Sequence, residues 1–384
     1  MATMWGAFYS FGVFFNPLLE EFGWTRAMTS GAFSLSLVVL SFFVIVAGRL
    51  NDRFGPRIVI SVSGLGLGIG YILASQVNAT WQLYLYYGVI IGASMSAAYV
   101  PIVSTVARWF VKRRGMMTGV AVSGLGMGTL ITPLIANWLV SNYGWRFSYT
   151  AFGIVVLVII ILMSQLLRRD PGQIGQVPYG ADDSRENLST QPIGFSLKQA
   201  LHTKQFWMLG FSAGCFAISL GTVMVHIVPH AIGLGISATS AASILSIVGG
   251  AGTVSRIIIG TACDRIGSKP ALTICFAFLL VSILVLLIAK ELWMLYLFAV
   301  LFAFAYGGMS AVISPTVAQF FGLVSHGAIL GVINVFGEGG SGVGSVLTGY
   351  IFDVTGGYQV AFSLCLALSF VCLSLIIAIK PIRQ

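Results

Sequence analysis

Long apolar runs alternate along this chain with short breaks rich in Gly, Pro or charge. The runs lie near 3–19, 28–47, 58–76, 80–107, 115–140 and 147–167, then 205–230, 238–262, 270–289, 292–321, 327–352 and 360–379. Most approach or exceed the roughly 20 residues that an α-helix needs to cross a bilayer. The pattern therefore predicts an all-α polytopic membrane protein with twelve transmembrane helices in two six-helix bundles. These are residues 1–167 and 204–384, joined by a linker over 168–203 that holds the polar stretch Asp182-Asp183-Ser184-Arg185-Glu186. The first run is short. Asn16-Pro17 follows after only about 15 residues, too few for a comfortable crossing, so the first helix reads as truncated, with the native start expected upstream of Met1.

Composition agrees with the pattern. Of 384 residues, 57% are hydrophobic and only 8% charged, and the mean hydropathy is +0.96, outside the range of soluble domains. The net charge of +9 suggests nucleic acid until the positions are read. The basic residues cluster at Arg49, Arg53 and Arg57; Arg108 with Lys112-Arg113-Arg114; Arg168 and Arg169 onward to Lys204; Arg265 and Lys269; Lys380 and Arg383. Alternate breaks hold only Arg26, Arg146 and Lys290. That asymmetry places the clusters in the cytoplasm and predicts a multi-pass protein of the cell inner membrane with both termini inside. No basic run interleaved with aromatics supports a nucleic-acid partner. The five cysteines show neither metal spacing nor a disulfide framework, and no Gly-x4-Gly-Lys-Ser/Thr motif offers an ATP site. No cofactor is expected. With 4 His and 11 acidic residues so dispersed, a membrane enzyme is disfavoured, and no run is left for the appended signalling domain of a receptor.

The halves repeat. Gly48-Arg-Leu-Asn-Asp52-Arg53-Phe-Gly55-Pro-Arg57 follows the second run, and Gly260-Thr-Ala-Cys-Asp264-Arg265-Ile-Gly267-Ser-Lys269 follows the eighth. A shared Gly-x3-Asp-Arg-x-Gly-x-Arg/Lys pattern at equivalent places indicates duplication, and such repeats in carriers set the substrate site near mid-membrane between halves. The pairs Gly64/Gly68, Gly66/Gly70, Gly124/Gly128 and Gly340/Gly344 form small-residue stripes that permit close helix approach.

Arg256 stands alone inside the apolar run 238–262. A charge there costs several kcal/mol in hydrocarbon unless it meets water or a partner, and a guanidinium matches a carboxylate with two parallel bonds. It lies 8 residues before Asp264, about 12 Å along a helix, too deep to reach the membrane rim. Either it holds an anion or it locks the bundle through an ion pair. Glu338 lies 12 residues after His326, roughly 18 Å into its helix. It would exchange a proton during a transport cycle or serve as a hydrogen-bonded structural acid. His226 and His230 are further proton candidates, with packing as the plainer role. Tyr9, Tyr99, Asn137, Tyr306 and Asn334 are polar groups within apolar runs that need partners, interhelical hydrogen bonding being the default for the two asparagines.

The paired Asp-Arg motifs resemble the signature of the major facilitator superfamily over nearly the whole chain. Trp109-Phe-Val-Lys-Arg-Arg114-Gly-Met-Met-Thr-Gly119-Val-Ala-Val-Ser-Gly124 is similar to the fifth-helix entry of the monocarboxylate transporter family. Tyr9-Ser-Phe-Gly-Val-Phe-Phe15, Gly144-Trp-Arg146 and His226-Ile-Val-Pro-His230 resemble its bacterial branch, which grades into oxalate/formate antiporters. The resemblance implies that Arg256, with Gly260 four residues on, engages a substrate carboxylate. It implies that Tyr99, next to Pro101, is a binding tyrosine, and that Gly48, Asp52, Arg53, Gly55, Arg57, Asp264 and Arg265 form a gating motif. In that motif Asp52 would accept from the amino end of a neighbouring helix while Arg53 and Arg57 hold the cytoplasmic gate; topology alone explains the arginines equally well. The chain departs from the family at two positions. Animal members carry a lysine at Tyr9 and an aspartate at Gly252, both implicated in proton linkage. An acid at Glu338 where the oxalate branch carries a base favours a monoanion. The expectation is a monomeric carrier of lactate- or pyruvate-like anions, by proton symport or counter-anion exchange. A carrier of another solute, such as a sugar, a drug or a dicarboxylate, is the rival.

Overall fold

A computed structural model describes residues 1–180 and 194–380, apart from the side chains of Arg26, Ala27 and Ala238. The stretch Asp182–Glu186 and Arg383 lie outside the described residues. The helices are α1 (Ala2–Tyr9), α2 (Phe11–Phe22), α3 (Arg26–Phe54), α4 (Pro56–Ala74), α5 (Thr80–Leu83), α6 (Gly92–Met95), α7 (Val100–Trp109), α8 (Arg114–Gln165), α9 (Leu197–Leu201), α10 (Lys204–Gly233), α11 (Ala238–Ile266), α12 (Ser268–Ile288), α13 (Leu292–Phe321), α14 (His326–Thr355) and α15 (Gln359–Ala378). Among the described residues nine helices are long and apolar enough to cross a membrane. Dividing α8 in two and adding α14 and the α1–α2 pair brings the passes to twelve.

Three local features depart from the sequence pattern. Asn16-Pro17 does not end the first pass: α2 runs through Pro17 to Phe22. One missing N–H is tolerated because Phe14, stacked 3.8 Å from Tyr149, and buried Leu18 hold the turn in place. The fourth pass is not a uniform helix. Wide-turned backbone over Tyr84–Ile91 separates α5 from α6, and the chain unwinds at 96–99 before α7, which carries Pro101 in its first turn, where a missing N–H costs the helix nothing. The fifth and sixth passes have no loop between them. Gly144 alone, at φ 79° and ψ 163°, breaks α8, a conformation open to glycine.

The repeated motif is helical rather than a loop. Gly48–Phe54 forms the last turns of α3 and Gly260–Ile266 those of α11, each of 29 residues. The stops are Gly55 at φ 82° and Gly267 at φ 90°, so the helices outlast their apolar runs by two turns or less. In the linker, Ser196 and Gln199 cap α9 reciprocally.

The chain divides into two compact units, Met1–Trp109 with Ala121–Ala181, and Phe110–Val120 with Asp182–Gln384. The opening turns of α8 thus belong to the second unit. The first unit is packed on aromatics: Phe8, Phe11 and Phe33 surround Tyr87, whose hydroxyl donates to the Phe8 carbonyl at 2.7 Å. Its glycine stripes work as contact surfaces, Gly64 meeting Ile160, Gly68 meeting Leu157, and Gly128 meeting the backbone of Ala2. In the second unit α10 lies against α14, with Gly221 on the Ser341 carbonyl, Gly344 on the Ile218 carbonyl, and Thr222 hydrogen-bonded to Thr348 at 2.8 Å. Large apolar side chains face outward in both units, among them Phe42, Leu134, Trp293 and Val346, as a lipid-exposed surface requires.

Candidate functional site

Arg256 is 1% exposed on α11. Its Nε donates to Ser310 Oγ at 3.2 Å, and its guanidinium carbon sits 5.1 Å from the centre of the Tyr306 ring, both partners on α13. No ion pair joins it to Glu338 or to any other described carboxylate. A cation at this depth without a counter-charge is costly; what offsets the cost here is one hydrogen bond and one aromatic face.

Glu338 is half-buried on α14 and has no hydrogen bond or ion pair to a described residue. Gly337 and Gly339 flank it, and a Cβ built on either meets nothing within 4 Å. Asn334, one turn earlier, returns its Nδ2 to the Leu330 carbonyl at 2.9 Å, so its amide donor serves its own helix. His226 Nε2 donates to the Ser345 carbonyl at 2.9 Å. His230 sets its ring edge-on to Phe362 at 4.9 Å, and its Nε2 is buried with no hydrogen-bond partner among the described residues. The two histidines share Tyr358 as a ring neighbour.

The remaining candidates belong to the first unit. Tyr9 ends α1, 44% exposed and stacked on Trp5 at 5.6 Å. Tyr99 is half-buried in the break between α6 and α7. Asn137 is exposed on α8. Of the predicted binding residues, then, the structure brings Arg256 and Tyr306 into contact and sets Asn334 and Glu338 one turn apart on a single helix.

At the Asp-Arg motifs each carboxylate has a distinct partner. Asp264 accepts from the backbone N–H groups of Gly115 and Met116 at 2.6 and 2.8 Å, a carboxylate on the positive end of α8. Asp52 pairs with Arg108 at 3.2 Å. Arg53 lies over Phe54, Arg57 donates to Gln165 Oε1 at 2.8 Å, and Arg265 is exposed. Lys269, the counterpart of Arg57, donates to the carbonyls of Ile377 and Ile379 at 2.8 and 2.6 Å. In each repeat the motif's final cation thus ties down the end of a later helix.

Sequence reading passed over three participants. Arg108, counted only as a positive charge, is 5% exposed and also reaches Asp170 at 3.3 Å. Ser310 was unmarked, although it follows Tyr306 by one helical turn within an apolar run, a spacing that signals a shared face. Glu21, past the apolar run that ends near 19, accepts from Trp145 Nε1 at 2.6 Å and from Arg146 at 2.7 Å. The Arg146 hydrogen bond holds the Glu21 carboxyl below its ordinary 4.5. A carboxylate depressed on folding adds stability above its unfolded pKa and loses it as pH falls through the folded one. With the partners 39% and 41% exposed, screening leaves about 0.5 kcal/mol. The stability gap between wild type and Glu21→Gln, measured by thermal unfolding in detergent, is expected at pH 7 and should shrink as pH drops from about 5 toward 3. A gap unchanged at pH 3 would contradict this.

A sequence model of the Major Facilitator Superfamily matches residues 1–289 and 233–384. The oxalate:formate antiporter of Oxalobacter formigenes is 27% identical over 398 residues, spanning 99% of this chain and 89% of its own. Monocarboxylate transporter 13 of Bos taurus is 26% identical, over 94% of this chain and 82% of its own. The uncharacterized MFS-type transporter YhjX of Escherichia coli strain K12 is also 26% identical, over 89% and 82%. Among solved structures, the human organic anion transporter MFSD10 superposes with a TM-score of 0.76 over 98% of both chains at 15% identity, a likeness of fold.

Proposed function

Since this chain belongs to the Major Facilitator Superfamily, a family of multi-pass membrane transporters, we propose that it carries small monocarboxylates such as lactate or pyruvate by alternating access. The observation that carries the reading is Arg256, a buried guanidinium with Tyr306 beneath it and no carboxylate among the described residues to neutralise it. A small anion supplies the missing charge, and a carboxylate fits the planar fork of donors. Relatives named as a monocarboxylate transporter and an oxalate:formate antiporter support the solute class. The acid at Glu338 favours a monoanion over a dianion. The distribution of basic residues supports a location in the cell inner membrane with both chain termini cytoplasmic.

Glu338 is the proposed proton carrier, because it is a half-buried acid with no described partner to hold its charge. Exchange against a second anion is the other reading, favoured by the oxalate:formate antiporter among the relatives. Proteoliposomes loaded with a pH dye separate the two. Symport predicts that an inward lactate gradient acidifies the lumen and that Glu338→Gln abolishes this while leaving lactate counterflow intact. Acidification that survives the substitution would clear Glu338 of the role, and uptake only with a trans anion would favour exchange. If no carboxylate in a panel is taken up or shifts thermal stability, the solute assignment fails.

A further inference from the structure

Arg256 is oriented as well as buried. Its Nε donates to Ser310 Oγ, and that hydroxyl gives its own proton to the Gly307 carbonyl at 2.7 Å. Toward Arg256, Ser310 is therefore an acceptor. The Tyr306 ring constrains where the guanidinium plane lies, and Ser310 constrains how the plane is turned, by engaging one edge. The seat beneath is stiff. Ser255, beside Arg256, donates to the carbonyls of Gly252 and Ala303 at 3.0 and 2.9 Å, tying α11 to α13. A Cβ on Gly307 would overlap Ser255 Oγ and the Gly252 carbonyl, so the two backbones approach as closely as glycine permits.

A guanidinium offers a carboxylate two edges, Nε with one Nη, or Nη1 with Nη2. Nε is committed, while Nη1 and Nη2 have no acceptor among the described residues. We propose that Ser310 is a positioning residue that turns Arg256 to take its anion end-on, through Nη1 and Nη2, and so sets both affinity and the pose of the bound carboxylate. This rests on the reading of Arg256 as the carboxylate partner. Alanine would free Nε and let the guanidinium rotate toward a side-on pose, loosening recognition without removing charge. Aspartate would set a permanent anion against Nε and neutralise the charge that draws the substrate.

The test uses the full chain in proteoliposomes, with L-lactate counterflow as the transport readout and the thermal shift with acetate as the binding readout. Ser310→Ala is expected to raise the KM for lactate about 5- to 10-fold with Vmax within about twofold, an affinity loss of the size of one ordinary hydrogen bond. Ser310→Thr, which keeps the hydroxyl, should stay within about twofold of wild type. Ser310→Asp should lose both responses while its unliganded melting temperature holds or rises, which shows a folded protein. A packing role would lower stability and Vmax without moving KM, and would spare no hydroxyl-bearing variant in particular. If Arg256→Ala loses lactate binding while Ser310→Ala and Ser310→Asp keep the wild-type KM, the orientation claim alone falls. If Arg256→Ala keeps the wild-type KM, or if wild type responds to neither acetate nor lactate, the underlying reading falls and takes this inference with it.

Discussion

Replacing Arg256 with alanine is expected to weaken carboxylate binding about 100-fold while making the unliganded protein more stable. The two effects share a cause. The guanidinium is 1% exposed and has one hydrogen bond and one aromatic face instead of a counter-ion, so the folded state carries an under-compensated charge, and removing it relieves that cost. On the proposed reading a bound carboxylate supplies the compensation, and two charge-assisted hydrogen bonds are worth about 3 kcal/mol together, roughly two orders of magnitude in affinity. Arg256→Lys should fall between, about tenfold weaker, because an ammonium keeps the charge but not the planar fork. Binding is read from the thermal shift against a carboxylate series, stability from the unliganded melting temperature. A purely structural arginine would give the opposite sign, with Arg256→Ala less stable and carboxylate affinity unchanged. That pair of results would remove the central support for the proposed substrate.

The largest loss of stability is expected at Gly221. A Cβ there would overlap the carbonyl oxygen of Ser341 on α14, and this obstacle is backbone, with no side chain to swing aside. The contact repeats one turn along, where Gly344 meets the Ile218 carbonyl, so α10 and α14 are held at a separation set by two glycines. Gly221→Val should force the helices apart, at a cost of about 3 kcal/mol or more. It also pulls on the hydrogen bond between Thr222 and Thr348. The expected readout is a melting temperature in detergent far below wild type, or loss of monodisperse protein. Gly342, on the partner helix α14, is the control. A Cβ there meets no atom within 4 Å, and Gly342→Ala should be neutral or stabilise by about 0.5 kcal/mol, since glycine is the poorer helix former. Equal behaviour of the two variants would show that the close approach contributes nothing.

How far such features can be read from sequence differs by kind. The passes are legible because an unpaired backbone amide in hydrocarbon costs several kcal/mol and a helix satisfies its own amides locally. The duplicated Asp-Arg motif is legible because it is contiguous, and its glycine stops at Gly55 and Gly267 stand at the ends of α3 and α11 as the motif implies. Arg256 is conspicuous because a cation in an apolar run has few benign explanations. The continuation of α2 through Pro17 and the loopless break at Gly144 were not legible. A proline inside a helix costs about 3 kcal/mol, which the sequence alone counts against continuation, and here packing of Phe14 and Leu18 offsets it. Ser310 was overlooked for a different reason. Serine is unremarkable in a transmembrane helix, and its bond to Arg256 spans 54 positions.

By itself, then, the order of residues determined that the chain is a multi-pass membrane protein with a duplicated motif, and that an arginine stands inside an apolar run. Each depends on local amounts: how much apolar surface a segment carries, or how costly a charge is within it. Tertiary structure alone decided which partner each polar group has. Arg256 has Tyr306 and Ser310 and no acid among the described residues, Asp264 has the amino end of α8, and Asp52 has Arg108. Those choices depend on ångström-level approach and on rotation about helix axes. In lipid no general hydrophobic force brings one helix face to another, so the pairing is left to glycine contacts and single hydrogen bonds that no local pattern encodes.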